Sequence, residues 1–201
     1  MKRKTFFTLL VFVGLLVPLS GIPSEAYRDT WQQPEKVMNV IGVKPGMVIG
    51  EAGAGKGYFT FKLARRVGPT GKIYANDIDD DVLDTIRERI KDEDIKNIVT
   101  LRGEVTDPLF PEGRLDMVFM CYVVHDLSQP AAFLRNLKPS FKPGGTLVIL
   151  ERDPGKYPSA AGHFWDKEKL LRVVKSAGYK LVRLETFLSR DNLYIFQPHP
   201  L

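Results

Sequence analysis

The chain has 201 residues, 44% of them hydrophobic and 26% charged, with a formal net charge of +5. That balance suits one globular domain with a sizeable core. Cys121 is the only cysteine, which rules out an internal disulfide and any cysteine-cluster metal site.

Lys2, Arg3 and Lys4 precede an uncharged run from Phe6 to Val17, followed by Pro18, Gly21, Pro23 and the small-residue end Ser24-Glu25-Ala26. Basic, apolar and small-residue regions in that order form the layout of a secretory signal peptide cleaved after Ala26. The apolar core is shorter than the ~20 residues of a spanning helix, which favours cleavage; the alternative is an anchor over residues 5–22. In both cases the basic cluster stays inside and the remaining chain is expected outside, exported to the periplasm or secreted. Residues 1–26 are therefore read as leader or anchor and 27–201 as the domain. Without the leader 26 basic residues stand against 23 acidic ones, a net +3 too small to point to nucleic acid.

From Trp31 onward short apolar runs alternate with amphipathic stretches, the mark of β-α units around a mostly parallel sheet. Pro34 opens a short helix through Val40, and Lys44-Pro45-Gly46 turns into a strand from Met47 to Gly50. A glycine loop leads to a helix over Phe59 to Val67. A strand over Lys72 to Asn76 precedes a helix over Asp80 to Lys91 with acids at its positive end. Ile98 to Leu101, Leu115 to Met120 and Thr146 to Leu150 read as strands, with a helix around Ala131 to Leu137 and a turn at Lys142-Pro143-Gly144-Gly145. Asp166 to Ser176 reads as a helix, and Lys180 to Phe187 and Leu193 to Gln197 as two closing antiparallel strands.

The loop GEAGAGKGYFT, Gly50 to Thr60, carries the chemistry. Counted from Gly50 it approaches a triphosphate loop, but Gly57 follows Lys56 where a magnesium-binding hydroxyl is required. A dinucleotide turn would need glycine where Tyr58 stands. Counted from Glu51 it is E-x-G-x-G-x-G, and an acid at its head repels phosphate while attracting an ammonium or sulfonium group. Asp77, twenty positions past Gly57 at the end of the next strand, is placed to grip two ribose hydroxyls. The ligand that fits is a phosphate-free, adenosine-containing cation.

VIGEAGAGKGYFT, GKIYANDID, GEVTD, LDMVFMCYVVHDL and FKPGGTLVILE, in this order, resemble the motifs of class I S-adenosylmethionine-dependent methyltransferases, over about Trp31 to Gln197. The resemblance implies a doubly wound, mostly parallel seven-stranded sheet with an antiparallel last strand. It implies S-adenosyl-L-methionine as cofactor, with Glu51, Gly53, Gly55 and Gly57 along its methionine part and Asp77 on the ribose. Glu104 would meet the adenine edge, and Ile78 and Val105 would sandwich the ring. Glu51 and Glu104 stand where many members have Asp, one methylene longer with the charge kept.

Methyl transfer needs a base only when the acceptor has a proton to lose. His125, beside Asp126 past the fourth strand, is read as acid/base, or else as a positioning or packed histidine. His163, before Phe164 and Trp165, is an acceptor-site residue or a helix-flanking one. Tyr122 and Cys121 are core or cofactor wall, and Arg28 to Gln32 is a lid or a linker capping the sheet.

CYVVHD replaces the Asn-Pro-Pro-Tyr or Asp-Pro-Pro-Tyr of enzymes that methylate a flipped base. One cysteine cannot serve an arsenite methyltransferase, and no basic, aromatic-rich appendage marks an RNA enzyme. A small organic acceptor is the expected partner. The alternatives are a non-catalytic nucleoside-binding module of the cell envelope and a nicotinamide-dependent oxidoreductase. The last lacks the third glycine and a Tyr-x-x-x-Lys pair.

Overall fold

A computed structural model describes residues 25–199. The expected leader lies outside them, except Glu25 and Ala26, which begin helix α1 (Glu25–Gln32). Among the described residues no helix is long and apolar enough to cross a membrane.

The elements follow as α2 (Pro34–Ile41), β1 (Val48–Ala52), α3 (Thr60–Val67), β2 (Lys72–Asp77), α4 (Asp80–Asp92), β3 (Ile98–Arg102) and β4 (Leu115–Cys121). They continue with α5 (Pro130–Leu137), β5 (Phe141–Arg152), α6 (Lys167–Ser176), β6 (Tyr179–Glu185) and β7 (Asp191–Pro198). One seven-stranded sheet has the order β3-β2-β1-β4-β5-β7-β6. The first five strands are mutually parallel, and β7 is antiparallel to β5 and β6. The doubly wound architecture expected from the alternating runs is therefore present.

Period-2 alternation divides the core into two layers. Met117, Phe119, Val148 and Leu150 face α2, α3 and α4 through Val37, Leu63 and Leu83. Val118, Met120, Leu147 and Ile149 face α5 and α6 through Leu134 and Val174. Each such fully buried side chain contributes about 1.5–3 kcal/mol. Helix starts follow local chemistry. Asp79 accepts a hydrogen bond from the Asp81 N–H ahead of α4, and Asp166 accepts one from the Lys169 N–H ahead of α6.

Two elements differ from expectation. Lys142-Pro143-Gly144-Gly145 is part of β5 rather than a turn before it. Phe141 pairs with Leu115 and Thr146 with Met117, so the intervening residues form an irregularity opposite Asp116, whose carboxylate binds Lys142 Nζ at 2.8 Å. Gly144 supplies the required positive φ of 81°. The segment Arg28 to Gln32, expected as lid or linker, is the second half of α1, joined to α2 through Gln33 at φ 47°.

Candidate active site

The sheet order reverses between β1 and β4, and ligands in such sheets bind beyond the carboxyl ends of the strands at that point. There a cavity of about 890 Å³ lies among Glu51, Gly53, Gly55, Asp77, Ile78 and the loop after β4. β1 projects Glu51 into it from a position that is only 2% exposed. Thr60 donates to Glu51 Oε2 at 2.5 Å. Burial, only partly offset by that bond, pushes the Glu51 carboxyl up to about 8.

Gly53 has φ 72°, and a Cβ there would stand 2.3 Å from Val123 Cγ2. The loop therefore packs against the β4 loop with no room for a side chain. The Gly55 N–H donates to Asp77 Oδ2 at 2.9 Å, and the Asp79 N–H donates to Oδ1 at 3.2 Å. Each carboxylate oxygen retains a lone pair for a hydroxyl. Ile78, next along, is 56% exposed although apolar.

Helix α1 closes one side. Arg28 stacks 3.8 Å above the Tyr58 ring, donates to Gln32 Oε1 at 2.5 Å and reaches Cys121 Sγ at 3.4 Å. Tyr58 donates to Asp29 Oδ1 at 2.5 Å, and Lys62 pairs with Asp29 at 3.1 Å and with Glu25 at 3.8 Å. Both Arg28 and Cys121 line the cavity. Burial, the largest influence on Cys121, raises its thiol well above the ordinary range, so it is a wall rather than a nucleophile.

The same wall continues at Tyr122, whose φ of 61° is rare for a non-glycine residue and costs about 1–3 kcal/mol. Its hydroxyl donates to Asp191 Oδ1 at 2.6 Å and accepts from Arg152 at 2.7 Å. Trp31 stacks on Tyr122 at 6.5 Å, and the Arg152 guanidinium lies 4.9 Å from the Trp31 ring and 5.0 Å from that of Tyr122. Behind them His125 Nδ1 meets Glu151 Oε2 at 3.0 Å, both side chains being 1% exposed. His163 and Phe164 pack on the His125 ring at 4.8 and 4.2 Å.

Among the residues singled out in the sequence, Glu51, Gly53, Gly55, Asp77 and Ile78 come together in the cavity lining. Gly57 is in the same loop at φ 85°, but its Cβ position faces Phe61 and Ile86, beneath the loop rather than in the lining. Glu104 and Val105 stand outside the lining, in a loop closed by the Glu104 N–H to Asp107 C=O bond of 2.6 Å. Val105 is 53% exposed. His125 borders the lining through Asp126, 3.3 Å from its Nε2, and His163 packs on the His125 ring. Sequence reasoning did not single out Arg152 or Glu151 individually; the one signal for them was a charged pair ending an apolar strand.

The sequence profile of the ubiE/COQ5 methyltransferase family matches residues 21–164. The chain belongs to that family. It is 30% identical to a demethylmenaquinone methyltransferase of Lactococcus lactis over 133 residues, 66% of this chain and 52% of that protein. It is 32% identical to a ubiquinone/menaquinone biosynthesis C-methyltransferase UbiE of Ectopseudomonas mendocina over 111 residues, 55% of this chain and 43% of that one. The chain thus spans about half the length of the curated relatives it matches. An Aquifex aeolicus S-adenosylmethionine-dependent methyltransferase superposes with a TM-score of 0.78 at 26% identity, covering 84% of this chain and 91% of that one. The [4+2]-cyclase SpnF shares the fold at a TM-score of 0.66 and 16% identity, over 79% of this chain and 61% of that one.

The cofactor of this ubiE/COQ5-family chain is S-adenosylmethionine. The cradle fits it. A buried carboxyl, Glu51, and a partly exposed one, Asp77, suit the cationic amino-acid part and the ribose of such a group, and at Gly53 the turn between them has no room for a side chain.

Proposed function

We propose that this chain methylates a small, planar, oxygen-bearing ring of phenol or quinol type, using S-adenosylmethionine. The observation that carries the reading is the aromatic cluster in the same cavity, where Trp31 and Tyr122 in the lining and Phe164 beside them surround the Arg152 guanidinium. Aromatic faces hold a flat ring, and the guanidinium, paired with Asp191 at 3.2 Å, has further N–H groups to donate to a ring oxygen. The names of the relatives, a demethylmenaquinone methyltransferase and quinone-biosynthesis C-methyltransferases, agree with an acceptor of this class.

The cofactor supplies an electrophilic methyl group on a sulfonium, so the chain contributes alignment and exclusion of water. Glu51 and Asp77 hold the two ends of the cofactor, and α1 covers it. For a ring carbon to take the methyl group, the neighbouring hydroxyl gives up its proton first and the ring carbon loses its hydrogen afterwards. His125, fixed by Glu151, and His163 stand on the acceptor side, where they lower the cost of the first loss. Glu104 and Val105 belong, on this reading, to the adenine end, with Ile78 and Val105 as exposed apolar faces for the base.

The test is calorimetric binding of S-adenosylmethionine to the purified full chain, followed by transfer of labelled methyl to a reduced, ring-unsubstituted naphthoquinone. Binding and incorporation are expected, with incorporation reduced by Arg152→Gln more than cofactor binding is. Undetectable binding at millimolar cofactor would remove the reading. Binding without transfer to any quinol or phenol would remove the acceptor class.

A further inference from the structure

The loop after β4 and the loop after β5 bring three metal-ligating side chains to one point. One nitrogen of His125, one of His163 and a carboxylate oxygen of Asp126 all lie within 4.8 Å of one another. We infer that His125, Asp126 and His163 bind a divalent first-row transition ion of the zinc class at the edge of the acceptor cavity.

Four observations support the assignment. The donor set of two imidazoles and one carboxylate suits such an ion and not calcium or magnesium, which take oxygen ligands. His125 Nε2 and Asp126 Oδ2 are already 3.3 Å apart, the edge length of a tetrahedron with bonds of about 2.0–2.1 Å. The remaining closure falls on His163, the more exposed of the two imidazoles, which follows Gly162 at φ 90°. Finally, the other ring nitrogen of His125 is held by buried Glu151 at 3.0 Å, the carboxylate–histidine arrangement that orients an imidazole toward a metal.

A merely packed histidine would be satisfied by Glu151 alone. It would not need a second imidazole 4.8 Å away and a carboxylate on its outer nitrogen. Two imidazoles and one carboxylate leave a coordination position open, as in catalytic rather than structural sites. Asp126 lines the cavity, so an acceptor oxygen entering there would reach that position, and its hydroxyl proton would be lost more easily to solvent. This role rests on the functional reading above; ion binding itself does not.

The experiment uses the full chain, stripped with a chelator and desalted, then titrated with Zn²⁺ by calorimetry and with Co²⁺ by visible absorption. One equivalent is expected to bind at micromolar concentration or tighter, with visible cobalt ligand-field bands. His163→Ala changes an exposed residue. It is expected to weaken Zn²⁺ binding by at least about tenfold and to bleach the cobalt bands. Glu151→Gln is expected to cost about 10- to 100-fold in affinity. His199→Ala, at the far end of β7 and the third of three histidines, is expected to change neither. Binding no tighter than millimolar, or binding that His163→Ala leaves unchanged, would overturn the inference. S-adenosylmethionine binding is measured on the same stripped protein. If it persists without ion binding, only this inference falls; if ion binding persists without it, only the functional reading falls.

Discussion

Asp77 and the backbone of Gly55 are joined by a 2.9 Å hydrogen bond across the carboxyl ends of β1 and β2. Asp77, proposed to hold the ribose, therefore also fixes the shape of the glycine turn. Asp77→Ala removes both contributions, and S-adenosylmethionine affinity is expected to fall by about 1–3 kcal/mol, roughly 5- to 150-fold. Asp77→Asn keeps an acceptor for the Gly55 N–H and is expected to lose less. Calorimetry on the two variants separates the roles, and equal losses would show that the turn does not depend on this bond.

Glu51 predicts opposite pH responses for the free and the loaded protein. Burial raises its carboxyl from 4.5 to about 8, so the folded chain retains a proton that the unfolded chain releases. Stability of the ligand-free protein from this group is greatest below the unfolded value and is lost as the pH climbs toward 8. Cofactor binding runs the other way, because the cationic ligand requires the anion, and affinity rises by up to about tenfold per pH unit until pH 8. Glu51→Gln is expected to flatten both responses. The cofactor's own amine titrates near 8 in either protein, so the difference between parent and variant isolates Glu51. Thermal unfolding and calorimetry from roughly pH 5.5 to 8.5 decide the matter. Identical slopes for the two proteins would contradict it.

The part of the cavity lining at β1 and β2 was legible because it is local. Glu51, Gly53 and Gly55 share one loop, and Asp77 ends the strand that pairs with β1 in register, Ala52 beside Asn76. The part at the ends of β4 and β5 was only partly legible. His125 and Glu151 are 26 positions apart, and they meet because β4 and β5 pair in parallel with Cys121 opposite Leu150. Nothing in the strand TLVILE separates a structural terminal acid from one that orients a histidine. The helical state of Arg28 to Gln32 was hidden too. α1 is short and polar, and its place depends on ion pairs to Lys62 and Arg89, more than thirty residues away. The strand assignment of Lys142 to Gly145 depends on a bulge opposite Asp116, which local Pro-Gly-Gly chemistry conceals.

Gly53→Ala is expected to abolish the cradle by two separable effects. The new Cβ would overlap Val123, and the left-handed φ of 72° would itself cost about 1–2 kcal/mol. A combined loss of about 2–4 kcal/mol would lower Tm by several degrees in a chain of this size, with cofactor binding lost. Adding Val123→Ala relieves the overlap but not the backbone, so the double variant is expected to recover part of the stability. Full recovery would show that the backbone conformation is not strained for alanine.

Asp29 predicts whether α1 acts as a cover. Tyr58 and Lys62 both hold it, and Lys62 is the buried member, its side chain 9% exposed against 41% for Asp29. Asp29→Ala is expected to cost about 1 kcal/mol of stability, a modest value because Asp29 is partly solvated and Glu25 still faces Lys62. The larger effect is expected in kinetics. With α1 less firmly held, Arg28 leaves its stack on Tyr58 more often, so S-adenosylmethionine dissociates about tenfold faster and trypsin cuts sooner after Arg28. Stopped-flow dissociation and timed proteolysis measure the two rates. Loss of stability with an unchanged dissociation rate would make α1 a structural cap on the sheet and remove its role over the cofactor.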